Sequence, residues 1–291
     1  MFGVVVLGVG MAGQVRIRDL VSPLPSSPAE KFSIKGFVSR RALEDQQSVK
    51  QIPLEEALSR EDIHAAIVST ENSSHEEHVR SFLEAGKHVC VEYPMALSHA
   101  AAVQLWDLAA GKGKVLHVEH IELLTAEYKQ LKKELSGKKL LEGSLHFTGG
   151  PLPAGFASLA FSGVSRLTWL VDLFGELSVT GASVEEDVEA QHVKLTARLL
   201  TEEQRPLTWI EERGPGLRRS KAISFRLACG TVDRLPEAPR DAVGLFAQDL
   251  CIFGQKLLGQ VPDEALSAER RRILHCLQLA ERIQQLAKGQ A

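Results

Sequence analysis

Gly8-Val9-Gly10-Met11-Ala12-Gly13 follows an apolar run, Phe2–Leu7, and opens a stretch with helical spacing. Few folds accept a strand, a glycine turn and a helix in that order. The three glycines act differently. Gly8 permits the tight turn, Gly10 lets the backbone approach a pyrophosphate, and Gly13 lets helix and strand pack closely. The N–H groups of the first helical turn, from Met11 and Ala12 onward, and the positive end of the helix dipole then hold the phosphates. The turn therefore points to a dinucleotide-binding unit built on a parallel sheet.

The following residues repeat the strand–helix alternation. Ser33–Val38, His64–Ser69, His88–Val91 and Lys114–His117 read as short buried strands. Helical patterns lie at Gly13–Leu20, Leu54–Leu58, Ser74–Ala85 and Ser98–Ala110, with Val79, Phe82 and Leu83 on one apolar face and Val103, Leu105, Trp106 and Leu108 on another. Ser98 suits an N-cap, and Gly86 and Gly111 stand where helices end. Ser22–Pro28, rich in proline and serine, is a surface loop. After about residue 120 the pattern changes. A helix at Glu122–Leu135 precedes strands at Gly143–Thr148, Leu177–Glu185, His192–Leu200, Pro206–Glu212, Ala222–Ala228 and Thr231–Leu235, interrupted by a helical stretch, Leu159–Phe174. Helices at Val243–Leu258 and Asp263–Ala287 close the chain. The expected fold class is α/β: a Rossmann dinucleotide-binding domain over 1–120, and an α+β domain over 121–291 with a large, mostly antiparallel open sheet. The C-terminal helix is placed back on the first domain.

Composition narrows the function classes. At 291 residues the chain has room for two cores. Its net charge of -3 gives no global field for nucleic acid, and Arg270-Arg271-Arg272 reads as an exposed helix face. The longest apolar runs, Val4–Val9 and Leu167–Val171, are too short to cross a membrane, and the N-terminus lacks the basic start of a signal peptide. Cys90, Cys229, Cys251 and Cys276 are scattered, as reduced thiols of a cytoplasmic protein would be. His75-Glu76-Glu77-His78 and His117-Val118-Glu119-His120 space their histidines three apart, one short of the zinc-protease motif, so no metal is expected.

The tip of the second strand selects the cofactor. An acidic residue there bonds the ribose 2′-hydroxyl of NAD, whereas arginine accommodates a 2′-phosphate. This chain has Ser39-Arg40-Arg41. NADPH is expected as the preferred cofactor, with NADH tolerated, and Ser69, Thr70 and His75 complete the cofactor set.

Ala85-Gly86-Lys87-His88-Val89-Cys90-Val91-Glu92-Tyr93-Pro94 resembles a signature of the glucose–fructose oxidoreductase and inositol dehydrogenase superfamily. Gly163-Val164-Ser165-Arg166-Leu167-Thr168, followed by Gly175-Glu176, resembles its second. Tyr93 replaces the superfamily's nicotinamide-side lysine, Ser165 its acid–base histidine and Thr168 its sugar-binding aspartate. Alcohol oxidation needs a group that accepts the hydroxyl proton, and those groups are gone. With the same departures, the chain is similar over nearly its whole length to the biliverdin reductase A family. That resemblance implies hydride transfer to the C10 methine bridge of biliverdin, giving bilirubin, by a monomer. Arg166, Tyr93 and Glu92 become the candidate catalytic residues, with Glu92 and Tyr93 also against the cofactor. Arg166, Arg218, Arg219 and Lys221, the last three near the Gly214-Pro215-Gly216 turn, become candidates for holding biliverdin and its propionates. The relatives' C-terminal zinc-type cysteines are absent after His275-Cys276. A sugar or polyol dehydrogenase using NADP, and a non-catalytic NADP-binding sensor, are the other readings of the same motifs.

Overall fold

The computed structural model describes residues 1–153, 156–239 and 241–289. The chain folds into two compact units, Met1–Leu124 with Asp241–Ser267, and Thr125–Arg240 with Ala268–Ala291.

In the first unit, strands β1 (Phe2–Leu7), β2 (Phe32–Val38), β3 (Ala65–Val68), β4 (His88–Val91) and β5 (Leu116–Val118) form one sheet in the order β2-β1-β3-β4-β5. Every pairing is parallel. Helices α1 (Met11–Val21), α2 (Leu54–Ser59), α3 (His75–Glu84) and α4 (His99–Gly111) make the crossovers, and Ser98 caps α4 by accepting from the Ala101 N–H. Val4, Val5, Val6 and Leu7 are at most 1% exposed, so β1 is buried on both faces, as parallel sheets are. The chain leaves β1 for β2 on one side and later returns to β3 on the other. This reversal sets Gly8 beside Ser69 at the carboxyl ends of the strands, where open α/β sheets bind ligands.

The second unit holds α5 (Ala126–Leu135), β6 (Leu140–Gly149), α6 (Leu159–Ser162), α7 (Val164–Phe174), β7 (Leu177–Asp187), β8 (His192–Thr201), β9 (Pro206–Arg213), β10 (Ser220–Leu227) and β11 (Gly230–Val232). Its sheet runs β11-β10-β6-β9-β8-β7, antiparallel except for the β6–β9 pair. Period two is clean on the central strands: Leu145 and Phe147, Leu207 and Trp209, and Ile223 and Phe225 are buried, while the alternate residues face outward. Helices α8 (Leu245–Leu257) and α9 (Asp263–Ala287) close the chain.

Four expectations change. The boundary is not a single cut after residue 120, and the segment that returns to the first unit carries α8, because Leu250 and Phe253 pack into the same core as Val4, Ile17 and Phe32. The expected helix at Glu122–Leu135 is a 3-10 turn followed by α5, whose start is fixed by Thr125 accepting from the Tyr128 N–H. Leu159–Phe174 breaks at Gly163, where a Cβ would stand 2.3 Å from the Trp209 ring. Arg272 is not a solvated face: it pairs with Asp172 of α7 at 3.0 Å, beside Tyr128 and Lys132.

Candidate active site

The glycine turn has the geometry its sequence calls for. Gly8 adopts φ +84°, and a Cβ there would stand 2.5 Å from the Ser69 carbonyl oxygen. A Cβ on Gly13 would stand 1.9 Å from the Gly8 carbonyl oxygen, so helix and strand touch backbone to backbone. A Cβ on Gly10 would meet nothing within 4 Å. Helix α1 starts at Gly10 without a side-chain cap, leaving first-turn N–H groups for an anion. Buried Ser69 Oγ has no hydrogen-bond partner in the described structure. A cradle at Gly10, an uncapped helix start and an orphan hydroxyl fit a dinucleotide pyrophosphate.

At the tip of β2, Ser39 Oγ accepts from the Arg41 N–H, Arg41 is exposed, and Arg40 pairs with Glu71 from the loop after β3. Ser69 and Thr70 follow β3 directly. His75 departs from expectation. Its ring is fully buried, 2.8 Å from the Pro94 carbonyl and 3.0 Å from that of Thr70. Burial lowers its pKa, outweighing those two carbonyls. His75 thus pins the loop after β3 to the loop after β4.

Glu92 and Tyr93 follow β4. Tyr93 is half-buried and stacks on His120 at 6.3 Å, the planes 7° apart. Glu92 belongs to a buried charge network that the motifs do not announce. Arg16, with no exposure, reaches Glu92 at 3.0 Å and Asp249 at 2.7 Å. Asp249 accepts from His117 Nε2 at 2.9 Å, and Lys256 donates to His117 Nδ1 at 2.8 Å. Glu119, also buried, accepts from the Ile121 N–H. Burial, then the neighbouring Glu92 and Asp249, push Glu119 well above the carboxylate range. Burial raises Glu92 as well, against the pull of Arg16. For Asp249 burial is overcome by Arg16 and His117, which hold it ionised. Arg16 thus stands between Glu92 and Asp249. Cys90, His117 and Asp249 lie close enough together to suit a metal, but Arg16 and Lys256 already supply the positive charge, and both ring nitrogens of His117 are engaged. Glu92 is therefore anchored by Arg16.

The second unit gathers cations around two aromatic rings. Arg166, 3% exposed, is bidentate to Glu211 at 3.0 and 2.6 Å and donates to Ser165 Oγ. Its guanidinium lies 4.2 Å from the Phe147 ring centre, with Arg213 at 4.6 Å and Arg219 at 5.8 Å. Arg213 shares Glu211 at 2.7 Å, and Lys221 lies 4.2 Å over Trp169. Cations over ring faces at these distances are attracted to the π quadrupole. Arg166, in the first turn of α7, is thus anchored and orders the cluster through Glu211. Arg219 and Lys221 belong to it, whereas Arg218 is exposed and contributes its carbonyl to Thr148 Oγ1. Ser165 is held by Arg166, and Thr168 Oγ1 donates to the Val164 carbonyl, so neither hydroxyl offers acid–base chemistry. His275 Nε2 accepts from the Leu177 N–H, and Cys276 is buried against Thr168.

Sequence reasoning missed Arg16, Glu119, Asp249 and Lys256 in the first unit and Phe147, Trp169 and Glu211 in the second. Two left a trace: Glu119 in the His117-Val118-Glu119-His120 spacing, and Glu211 as a carboxylate at an inward position of an alternating strand.

Residues 2–120 match the model of the oxidoreductase family with an NAD-binding Rossmann fold, and residues 128–239 match that of biliverdin reductase, catalytic. Biliverdin reductase A of Homo sapiens is 55% identical over 284 residues, 97% of this chain and 95% of the human protein. The Mus musculus enzyme is 54% identical over 98% of this chain and 96% of its own length. A crystal structure of biliverdin reductase from Synechocystis sp. PCC 6803, in complex with biliverdin and NADP+, superposes with a TM-score of 0.80 at 22% identity, covering 98% of this chain and 99% of that one. With both units matched and more than half of the residues shared with the mammalian enzymes, the chain belongs to the biliverdin reductase A family.

Proposed function

We propose that this protein reduces biliverdin to bilirubin, with NADPH as the preferred dinucleotide and NADH as the second. The observation that carries this reading is the cluster of Arg166, Arg213, Arg219 and Lys221 on Phe147 and Trp169. It lies in the stretch that matches the biliverdin reductase catalytic model. A tetrapyrrole with two propionates calls for an excess of positive charge, and the buried Phe147 and Trp169 rings hold Arg219 and Lys221 in position to supply it.

When bound, the nicotinamide supplies the hydride that adds at the C10 bridge, while a proton goes to a pyrrole nitrogen. The first-unit residues would hold the dinucleotide by backbone, hydroxyl and guanidinium groups: Gly8–Gly13 at the pyrophosphate, Ser39, Arg40 and Arg41 at the adenosine 2′ position, and Ser69 and Thr70 at the switch point. Tyr93, braced by His120, donates a hydrogen bond beside the nicotinamide; Glu92, locked by Arg16, fixes where Tyr93 stands. In the second unit Arg219 and Lys221 receive the propionates. Arg166 holds Glu211, and with it Arg213, so that the patch is ordered before substrate arrives; such preorganised charge is what electrostatic catalysis requires. No helix among the described residues is long and apolar enough to cross a membrane. We place the protein in the cytoplasm, where its four free thiols are stable, and take it to act as a monomer, the outer face of its six-stranded sheet being mostly polar.

Mixing the purified chain with NADPH and green biliverdin should give a yellow product. No reduction with either dinucleotide overturns the proposal. Arg219→Ala combined with Lys221→Ala should raise KM for biliverdin by about tenfold, the loss of roughly 1.4 kcal/mol of charge-assisted binding, and change kcat little.

A further inference from the structure

The cofactor reading of the β2 tip rests on an absence: no carboxylate stands among Ser39, Arg40 and Arg41 to welcome a ribose hydroxyl or repel a phosphate. The structure supplies one from elsewhere. Glu71 lies three residues beyond the end of β3, and Arg40 two beyond the end of β2. Strand β1 runs between those two strands, so the Arg40–Glu71 ion pair reaches across the end of β1. The two partners are not equivalent. The Glu71 backbone is fixed, its carbonyl accepting from both the N–H and the Oγ of Ser74 at 2.9 Å, and its side chain is 36% exposed. Arg40 is 83% exposed, held to the protein by this pair at its tip.

We propose that Glu71 is a cofactor-selectivity residue: it competes with the 2′-phosphate of NADPH for Arg40 and thereby keeps NADH usable. A phosphate that takes the Arg40 guanidinium must displace the Glu71 carboxylate and then sit near it, two anions about one cation. The hydroxyl of NADH neither displaces Glu71 nor is repelled by it, since a hydroxyl donates to carboxylates. The acidic residue that NAD-binding folds carry at the β2 tip is thus replaced by one from the β3 loop, set against an arginine. The balance of the pair decides how far NADPH is preferred. This inference rests on the reading of Arg40 and Arg41 as the 2′-phosphate site, and the test separates the two.

Dissociation constants of NADPH and NADH are measured by fluorescence titration on the full chain, for the parent, Glu71→Gln, Glu71→Ala, and Arg40→Ala with Arg41→Ala. Both Glu71 variants should bind NADPH about three- to tenfold more tightly and NADH within about twofold of the parent, on the scale of one partly exposed charge pair. The gain should shrink in 0.5 M salt (roughly a 4 Å screening length). Unchanged NADPH affinity in the Glu71 variants, or an equal shift for both dinucleotides, overturns the role of Glu71. If the double arginine variant loses NADPH and keeps NADH, the 2′-phosphate site stands whatever Glu71 does. If it loses neither, both the site and the competition at it are refuted.

Discussion

Gly10 and Gly13 are the same residue type in the same turn, yet the structure uses them differently. A methyl group on Gly13 would collide with the Gly8 carbonyl at 1.9 Å, a backbone atom that cannot yield, whereas one on Gly10 meets open space. Gly13→Ala should therefore lower the melting temperature and abolish dinucleotide binding together. Gly10→Ala should melt as the parent does and lose dinucleotide affinity by at least tenfold; thermal melts beside NADPH titrations check both. Glu119 shows the reverse case, a residue whose burial works against the fold. Its proton is retained because desolvation first, and Glu92 and Asp249 next, disfavour its charge. A raised carboxylate pKa contributes stability that is complete below the unfolded value, about 4.3, and drains away as pH rises towards the folded value. Glu119→Gln, which keeps an acceptor for the Ile121 N–H, should gain stability over the parent steadily between pH 5 and pH 8 in denaturant titrations. A constant difference across that range would place the proton elsewhere.

At the scale of elements, α8 carries a burden that its apolar pattern conceals. One face gives Leu250 and Phe253 to the core of the first unit, with Phe253 stacked on Phe32 at 5.6 Å and on His117 at 5.7 Å. The same helix brings Asp249 and Lys256 into the charge network. Removing one member of a buried ion pair leaves its partner charged without compensation, which costs about 3–5 kcal/mol. Asp249→Asn should lose stability of that order by urea titration, and Arg16→Met with Asp249→Leu, which removes the Arg16–Asp249 pair, should recover part of it. Because Arg16 also anchors Glu92, Asp249→Asn should disturb the Tyr93 side of the cofactor site too. Element α7 is positioned by the opposite means, a missing side chain: Gly163 makes room for the Trp209 ring, and its break lets α7 turn eight consecutive residues, Val164–Val171, into buried positions.

Over the whole molecule, the four thiols report how each unit is closed. Cys90 and Cys276 are buried, Cys251 is partly covered and Cys229 is exposed on the β10–β11 turn. Burial pushes Cys276 up to about 12 and Cys90 well above the ordinary thiol value, and the thiolate is the reactive form. A disulfide reagent at pH 8 should modify Cys229 at once, Cys251 more slowly, and Cys90 and Cys276 only when their units open. Since Cys90 lies in the first unit and Cys276 in the second, their separate rates, read by mass spectrometry of the labelled peptides, measure how far the two units unfold together. Equal immediate labelling of all four would contradict the closed cores.

Local order was legible in the chain because it depends on spacing. The glycine turn, the alternation of strand and helix before residue 120 and the run of alternating strands after it each follow from which neighbours a backbone of fixed period can bury. Gly8–Gly13 accordingly has the turn geometry its spacing calls for, and Ser39–Arg41 and Tyr93 stand just beyond the ends of β2 and β4. What a charged side chain faces is a different matter, since its partner can come from any distance along the chain. Arg16 and Asp249 are 233 positions apart, Arg166 and Glu211 are 45, and Arg40 and Glu71 are 31. No local pattern encodes these pairings. Only the fold shows that Glu211 anchors Arg166 and Arg16 anchors Glu92, because a charge removed from water must find its counter-charge wherever the fold brings one.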